Sequence, residues 1–322
     1  MKEDQFLNEL QKYFKESPRV VRGPGDDCGV VKSVPGKDIL LTTDSFIEGK
    51  HFTHDLLSLR EIGYKAGAAA LSDIAAMGGK PVAALVNLNI PEKYIARASE
   101  IYDGLTEVFS RFCTTIVGGN TEKTDYLALH ITIMGEVTQE RAIYRDGAKP
   151  GDILVITGDL GRPQGFLTAY HKGLTKGYKW WINDMRDKFA RPTPRIEEME
   201  KILKEVEVHA AIDISDGLGV DSFRMAKASG VEMIFYADKL PINESVKHLA
   251  SKLEIKDWFI AVESGEEYEL LLALPPEAAE KIEELKLPVK IIGEAREDKP
   301  GSYIMADDMK IDLSKRGWDA LR

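Results

Sequence analysis

The sequence predicts a two-domain protein of the α+β or α/β class, in which helices alternate with strands. Its 322 residues are enough for two domains, and 43% of them are hydrophobic, which is enough to fill sizeable cores. Apolar runs of strand length alternate along the chain with segments whose apolar residues recur at helical spacing. A short pattern also repeats, since residues 133–137 (IMGEV) resemble residues 291–295 (IIGEA), which indicates two related halves.

The first half contains helical and strand patterns in turn. Apolar residues at helical spacing predict a first helix within residues 6–14, and a run of alanines predicts a second over residues 64–71. Pro91 begins a third helical pattern that continues to Phe112. Strands are expected at residues 29–31, 39–44, 82–90, 114–117 and 127–133, the last with an apolar residue at every second position.

The pattern loosens between Arg141 and Pro150, and we place the domain boundary there. This gives an N-terminal domain of residues 1–140 and a C-terminal domain of residues 141–322. Residues 172–191 are polar and are expected to form a surface excursion. Further strands are expected at residues 152–157, 211–213, 270–274 and 289–294, the last being the final firm strand, and further helices at 196–206, 218–229 and 276–285.

Composition argues against several classes of protein. A net charge of −10 argues against nucleic acid or an anionic membrane as the main partner, because binding either requires basic patches. No apolar run approaches the roughly 20 residues of a membrane-spanning helix, and the polar residues 2–5 do not begin a signal peptide. Cys28 and Cys113 form neither a metal motif nor a disulfide framework, so we expect a cytoplasmic protein.

Acidic residues lie at the ends of five apolar segments. These clusters are Asp26 with Asp27, Thr42 and Thr43 with Asp44, Asp73 alone, Asp213 with Asp216, and Glu266 with Glu267 and Glu269. Each cluster by itself also fits a turn or a helix cap. Carboxylates held together repel one another unless cations neutralise them, and oxygen ligands suit Mg²⁺. The five clusters together therefore indicate a site with several Mg²⁺ ions.

Other motifs narrow the chemistry. Gly118 and Gly119 follow a predicted strand, where bare backbone can approach a phosphate closely, although two glycines also form a common turn. Tyr102 is suited either to stacking on a base or to ordinary packing. The sequence has no Ser-His-Asp or Cys-His set, and the lack of a Walker-type glycine–lysine motif excludes a P-loop enzyme.

In their order along the chain, these motifs resemble those of the thiamine-monophosphate kinases, in the superfamily that includes aminoimidazole ribonucleotide synthetase. The matching segments are residues 25–27, 43–52, 71–78, 118–119, 145–152, 213–218 and 265–270. The resemblance extends from Gly25 to Trp318, and although each motif is modest, the ordered set is very specific. It implies the two-domain fold of that superfamily, with N-terminal strands that build a barrel across a homodimer and an α/β C-terminal domain.

The resemblance further implies Mg²⁺- and ATP-dependent phosphorylation of thiamine monophosphate to thiamine diphosphate. By position, it implies metal ligands at Asp27, Thr42, Thr43, Asp44, Asp73, Asn120, Asp213 and Asp216. It implies ATP contacts at Tyr102, Gly119, Asn120, Arg145 and Ser215, and substrate contacts at His51, Glu266 and Trp318. The acceptor is already an ionised phosphate, so an in-line transfer needs cations to screen two anions rather than a strong general base.

Two positions depart from the family's pattern. The family usually has Asp where this chain has Asn120 and where it has Glu267.

Two other functions are the alternatives. One is another ATP-using enzyme of the superfamily, acting on formylglycinamidine ribonucleotide, selenide or a carbamoylated partner; Cys28 inside the Asp-rich motif does not fit the selenide enzyme. The other is a catalytically weakened regulator that binds nucleotide or thiamine phosphates, and Asn120 is the one feature that favours it.

Overall fold

The computed structural model describes residues 20–22, 26–32, 35–177 and 179–318. Within these ranges the chain divides into two units, each with its own sheet. The N-terminal unit contains the described residues up to Ala142 together with Ala190–Ile196, and the C-terminal unit contains Ile143–Phe189 and the residues from Glu197 onward. The helix predicted within residues 6–14 lies outside the described residues. None of the helices in the described ranges has the length and apolar character that crossing a bilayer requires.

A six-stranded sheet is the centre of the N-terminal unit. Its described elements are β1 (Val20–Arg22), β2 (Gly29–Lys32), β3 (Lys37–Ile47), α1 (Leu59–Ala76), β4 (Lys80–Ile90), α2 (Glu92–Ile95), α3 (Ala98–Arg111), β5 (Thr115–Lys123) and β6 (Ala128–Thr138). The strand order is β1-β2-β3-β6-β4-β5, and β4 and β5 are the parallel pair among antiparallel neighbours. The crossover through α2 and α3 is what allows β4 and β5 to run in the same direction.

Helix α1 is buried along most of its length because small residues let its neighbours approach. Ser58 begins it with a capping box, in which Ser58 and Glu61 satisfy each other's backbone N–H groups. A Cβ on Gly63 would lie 2.0 Å from the carbonyl oxygen of Ile101, and a Cβ on Gly104 would lie 1.9 Å from that of Arg60. The backbones of α1 and α3 therefore touch, which fixes α1 in position beside the sheet.

The glycine pair Gly118 and Gly119 lies inside β5, so the strand continues through it instead of ending in a turn near residue 117. Gly119 is paired with Val86 of the parallel strand β4. A Cβ on Gly119 would lie 1.8 Å from the Val86 carbonyl oxygen. Glycine is therefore needed here for the close approach of two strands.

A seven-stranded sheet with helices forms the C-terminal unit. Its described elements are β7 (Ile153–Thr157), α4 (Arg162–His171), α5 (Trp180–Ala190), α6 (Ile196–Glu205), β8 (Ala210–Asp213), α7 (Leu218–Ser229), β9 (Glu232–Tyr236), α8 (Glu244–Leu253), α9 (Asp257–Glu263), β10 (Leu270–Leu274), α10 (Ala279–Glu284), β11 (Val289–Arg296), β12 (Gly301–Ala306) and β13 (Met309–Asp312). The strand order is β13-β12-β9-β11-β7-β10-β8, and β9 and β12 are its parallel pair.

Two expectations about this unit are wrong. The segment 172–191 is more than a surface excursion, because α5 buries Trp181, Met185 and Phe189. These residues are four apart and lie on one apolar face of a helix that also carries the charged residues Asp184, Arg186, Asp187 and Lys188. The strand at residues 289–294 is also not the last, since β12 and β13 follow it as a hairpin. β13 is largely exposed, and it therefore lacks the apolar pattern that would have predicted it.

Candidate active site

Three predicted metal ligands meet in the N-terminal unit beside β3 and α1. The Thr42 hydroxyl donates a hydrogen bond to Oδ2 of Asp73 at 2.5 Å. Carboxylate oxygens of Asp27 and Asp73 lie within 4.8 Å of each other. Two carboxylates and a hydroxyl offer the oxygen ligands that Mg²⁺ binds, and a cation would neutralise the repulsion between the carboxylates. The donor set therefore fits Mg²⁺.

Thr43 and Asp44 continue along β3 but point in opposite directions. The Thr43 hydroxyl is hydrogen-bonded to the Thr132 hydroxyl of β6 at 3.1 Å, on the sheet face opposite to Thr42, because adjacent strand residues alternate between faces. Asp44 returns to the face of Thr42, and its Oδ1 accepts the Ser45 N–H at 2.8 Å. The structure thus brings Asp44, and not the Thr43 side chain, to the side of the carboxylates, and a metal role for Thr43 stays a prediction.

His51 lies in the turn after β3, and its ring is held in one orientation. The Ile47 N–H donates to His51 Nδ1 at 3.1 Å, so a neutral imidazole carries its proton on Nε2. The ring also stacks on Phe46, with centroids 5.8 Å apart. Glu48 stabilises the turn, because its carboxylate accepts a hydrogen bond from the Leu127 N–H at 2.9 Å. His51 can therefore present an N–H donor at a fixed place.

Three of the predicted ATP contacts line one pocket of the N-terminal unit. Its volume is about 510 Å³, which lies within the range of roughly 300–1,000 Å³ that is usual for small-molecule sites. The lining residues are Val86, Tyr102, Ile116, Gly118, Gly119, Asn120 and Thr121. Tyr102 and Ile116 offer apolar surface to a flat base, while the two glycines expose backbone to polar groups. The pocket can therefore accept a nucleotide-sized ligand.

In the C-terminal unit, residues 213–217, which run from the last residue of β8 to the start of α7, bring five predicted site residues together. Asp213 ends the strand, and Ser215 and Asp216 follow it in the loop. The Glu266 N–H donates to the Ser215 carbonyl at 2.7 Å, and the Trp318 N–H donates to the Asp216 carbonyl at 2.8 Å. Residues predicted to bind metal, nucleotide and substrate therefore meet at one loop, which we call the 213–217 loop.

Glu266 belongs to a strained segment that buried charges hold in place. Glu266 and Tyr268 have φ values of 58° and 53°, a left-handed conformation that costs non-glycine residues about 1–3 kcal/mol each. The Glu267 carboxylate, which has no exposed surface, accepts the Gly161 N–H at 2.5 Å. Burial raises the pKa of Glu267 to about 7, although the neighbouring Lys188 opposes this. Lys188 also forms a buried ion pair with Glu269.

Trp318 ends the described chain beside the 213–217 loop, and its side chain is 40% exposed. The preceding residues hold this tail. Leu313 is fully buried, and Arg316 pairs with Glu263 at 2.7 Å. A Cβ on Gly317 would lie 2.6 Å from the Asp216 carbonyl oxygen, so the tail runs against the loop.

Arg145, a predicted ATP contact, lies in the segment before β7. Its carbonyl accepts a hydrogen bond from the Ser229 hydroxyl at 2.9 Å. The same hydroxyl accepts the Ala148 N–H at 3.1 Å. The end of α7 thus fixes the backbone at Arg145, while the role of its side chain toward ATP stays a prediction.

Sequence reasoning missed Asp221 and Arg224, which lie on α7 behind the 213–217 loop. Oδ2 of Asp221 accepts the N–H groups of Ser215, Asp216 and Gly217 at 3.1, 2.9 and 3.0 Å. Arg224 donates to Asp221 at 2.9 Å and to Asp216 at 2.5 Å. Burial and then the Asp216 carboxylate raise the pKa of Asp221 to about 7, while Arg224 and the N–H donors lower it. An acidic residue in the first helical turn after an acidic loop was the available signal.

Known proteins are similar to this chain in sequence and in fold over both units. Residues 25–137 match the family AIR synthase related protein, N-terminal domain, and residues 149–305 match AIR synthase related protein, C-terminal domain. Thiamine-monophosphate kinase from Rhodopirellula baltica is 35% identical over 302 residues, which cover 90% of this chain and 88% of the relative. The kinase from Pyrococcus abyssi is 33% identical, with 100% of this chain and 96% of the relative covered.

Solved structures agree with these relatives. The structure of AaThiL complexed with AMPPCP and TMP has a TM-score of 0.86 and 30% sequence identity, and the match covers 99% of this chain and 96% of that one. The two-domain fold predicted from the sequence is thereby confirmed. Because the similarity spans almost the entire chain in both sequence and structure, this protein belongs to the thiamine-monophosphate kinase family of the AIR synthase-related proteins.

Proposed function

We propose that this kinase transfers the γ-phosphoryl group of ATP to the phosphate of thiamine monophosphate, which yields ADP and thiamine diphosphate. The observation that carries the proposal is the pocket in which Tyr102, Gly119 and Asn120 come together. It supports nucleotide binding in a chain similar over its length to a protein solved with AMPPCP and TMP. AMPPCP is an ATP analogue with carbon between its β- and γ-phosphorus atoms, so it occupies an ATP site without being cleaved there.

Each unit, taken by itself, carries oxygen ligands suited to Mg²⁺. In the N-terminal unit the residues that would hold Mg²⁺ are Asp27, Thr42, Asp44 and Asp73, and Thr43 and Asn120 are further predicted ligands. In the C-terminal unit they are Asp213 and Asp216. Bound Mg²⁺ would screen the repulsion between the two phosphates and the charge that develops during in-line transfer. The acceptor oxygen is already ionised, so no residue of the chain has to remove a proton.

The acceptor is a flat aromatic cation joined to a phosphate, and the predicted substrate residues match this chemistry. The indole of Trp318 and the carboxylate of Glu266 attract a thiazolium ring, by cation–π attraction and by charge. The Nε2–H of His51 is suited to donating to a phosphate oxygen. Arg145 and Ser215 are assigned to the phosphates of ATP, because a guanidinium and a hydroxyl both donate to such oxygens.

We further propose that a second copy of the chain covers the sheet of the N-terminal unit. In the described part of this unit, Leu41 and Leu85 are 42% and 47% exposed, although Leu40 and Val86 next to them are buried. An apolar sheet face normally requires a covering layer. Leu41→Glu combined with Leu85→Glu should therefore convert a dimer into monomers in analytical ultracentrifugation. A wild-type protein that is monomeric at micromolar concentration would rule out this homodimer.

A coupled ADP-release assay tests the proposed reaction against its alternatives. The wild-type protein should release ADP when ATP, Mg²⁺ and thiamine monophosphate are all present, and phosphorus NMR should identify thiamine diphosphate. Release with formylglycinamidine ribonucleotide or selenide instead would assign another reaction of the superfamily. Binding of AMPPCP without turnover would indicate a regulator.

The expected cytoplasmic location stays a prediction, which imaging of a fluorescent fusion would test.

A further inference from the structure

In the 213–217 loop, both the N–H groups and the carbonyl groups of the backbone have hydrogen-bond partners. Its N–H groups at residues 215–217 all donate to the one buried oxygen of Asp221. Its carbonyls at residues 214–216 point the other way and accept from Tyr268 at 2.9 Å, Glu266 at 2.7 Å and Trp318 at 2.8 Å. Because these backbone groups are already hydrogen-bonded within the protein, the loop can contact a ligand only through the side chains of Asp213, Ser215 and Asp216.

This arrangement differs from the usual phosphate site at a helix start. The first N–H groups of a helix commonly bind an external anion, because they are unpaired and lie at the positive end of the helix dipole. Here the Asp221 carboxylate of the helix itself takes the three N–H groups just before α7. The buried Asp221 carboxylate, which is 1% exposed, therefore holds the backbone of the loop in its conformation.

Arg224 connects Asp221 to the ligand side of the loop. Its Nη1 donates to Oδ1 of Asp221 at 2.9 Å and to Oδ2 of Asp216 at 2.5 Å. A cation that binds the Asp216 carboxylate must therefore share it with a guanidinium. Asp221 weakens this competition, because it divides the hydrogen bonds of Arg224 and places a negative charge next to it.

We propose that Asp221 is a positioning residue and Arg224 a competing positive charge, and that together they set the affinity of the 213–217 loop for the Mg²⁺ that accompanies the nucleotide. This rests on the proposed function, in which Asp216 is a metal ligand. Loss of the Asp221 charge removes a negative charge that shares Arg224 with Asp216, so Arg224 should compete more strongly for Asp216 and weaken Mg²⁺ binding. Loss of the Arg224 charge removes the competitor and should strengthen it. The two substitutions therefore act in opposite directions.

The test measures how much Mg²⁺ each variant needs, by two readouts at about pH 8, where unperturbed carboxylates are ionised. Calorimetric titration with AMPPCP at a series of Mg²⁺ concentrations gives the half-saturating Mg²⁺ without turnover, and the ADP-release assay gives it during turnover. The variants are Asp221→Asn and Arg224→Gln. Glu232→Gln is the control, because Glu232 is a carboxylate 4% exposed in the same unit whose partner is Lys310 of β13.

Asp221→Asn should raise the half-saturating Mg²⁺ concentration about tenfold or more in both readouts, as is usual when a residue behind a metal ligand is changed. Arg224→Gln should lower it, and Glu232→Gln should leave it unchanged even if its melting temperature falls. Equal increases in all three variants, or no change in Asp221→Asn, would overturn the proposal. If circular dichroism shows that Asp221→Asn does not fold, the test rests on Arg224→Gln alone. An unchanged or higher half-saturating Mg²⁺ concentration in that variant then overturns the proposal. If the wild-type protein does not use thiamine monophosphate, it is the proposed function that fails.

Discussion

Glu267→Gln should change how the stability of the C-terminal unit depends on pH. Glu267 has no exposed surface, and its Oε1 accepts the Gly161 N–H at 2.5 Å at the start of α4. Glutamine keeps a carbonyl oxygen for this hydrogen bond but cannot ionise. The substitution therefore isolates the free energy of ionising one buried carboxyl group.

The size of the effect follows from the pKa of Glu267. Burial raises this pKa from 4.5 to about 7, and Lys188, Ser264 and the Gly161 N–H oppose the rise. The difference corresponds to about 3 kcal/mol in favour of the protonated side chain in the folded unit. Because the folded state holds the proton more tightly, this stabilisation is fully present below pH 4.5 and is lost as the pH rises through about 7.

The assay is urea unfolding between about pH 4 and pH 8, the range over which carboxyl groups with raised pKa values titrate. All four tryptophans, at positions 180, 181, 258 and 318, lie in the C-terminal unit, so tryptophan fluorescence follows this unit alone. The free energy of unfolding of wild-type protein should fall relative to Glu267→Gln by about 3 kcal/mol across the range.

Glu267→Asp is the matched control, because it keeps an ionisable group where the family usually has Asp. Its stability should therefore retain a pH dependence that Glu267→Gln lacks. Curves for wild-type protein and Glu267→Gln that stay parallel from acidic to alkaline pH would refute the reasoning. Such a result would mean that Glu267 ionises in the folded unit as easily as in water.

Four further substitutions test other parts of the site. Asp73→Asn should lower kcat more than tenfold, a loss of over about 1.4 kcal/mol, with an unchanged circular dichroism spectrum, and near-normal turnover would remove Asp73 from the metal site. Asn120→Asp should lower the Mg²⁺ concentration for half-maximal activity, because it adds a charge to a ligand; an equal or higher requirement would contradict this. Trp318→Ala should raise the KM for thiamine monophosphate by a factor equivalent to about 1–2 kcal/mol while the KM for ATP stays constant, whereas a lower melting temperature with both KM values unchanged would make Trp318 a structural anchor. Lys188→Met should lower the free energy of unfolding of the C-terminal unit by about 3–5 kcal/mol in the same urea assay, since Glu269 would remain buried without its counter-charge, and a loss under about 1 kcal/mol would contradict this.

The sequence by itself was sufficient for the fold class and for the family. Hydrophobic periodicity is a local property, so the alternation of Leu127, Leu129, Ile131 and Ile133 predicted a strand that the structure contains as β6. The motifs are local as well, and their order along the chain identified the family that the full-length relatives confirm. Local patterns failed where the determining contact is distant, as at Gly119, whose neighbour is Val86.

Only the tertiary structure decided which side chains meet. Thr42 and Thr43 are adjacent and chemically alike, but the pleat of β3 directs one hydroxyl to Asp73 and the other to Thr132. Asp221 resembles any acidic residue early in a helix until the fold brings three N–H groups to one of its oxygens. Such pairings depend on strand register and on the packing of segments far apart in the chain. A local pattern of residue types cannot predict these pairings, because the same strands and helices could also pack in a different tertiary arrangement.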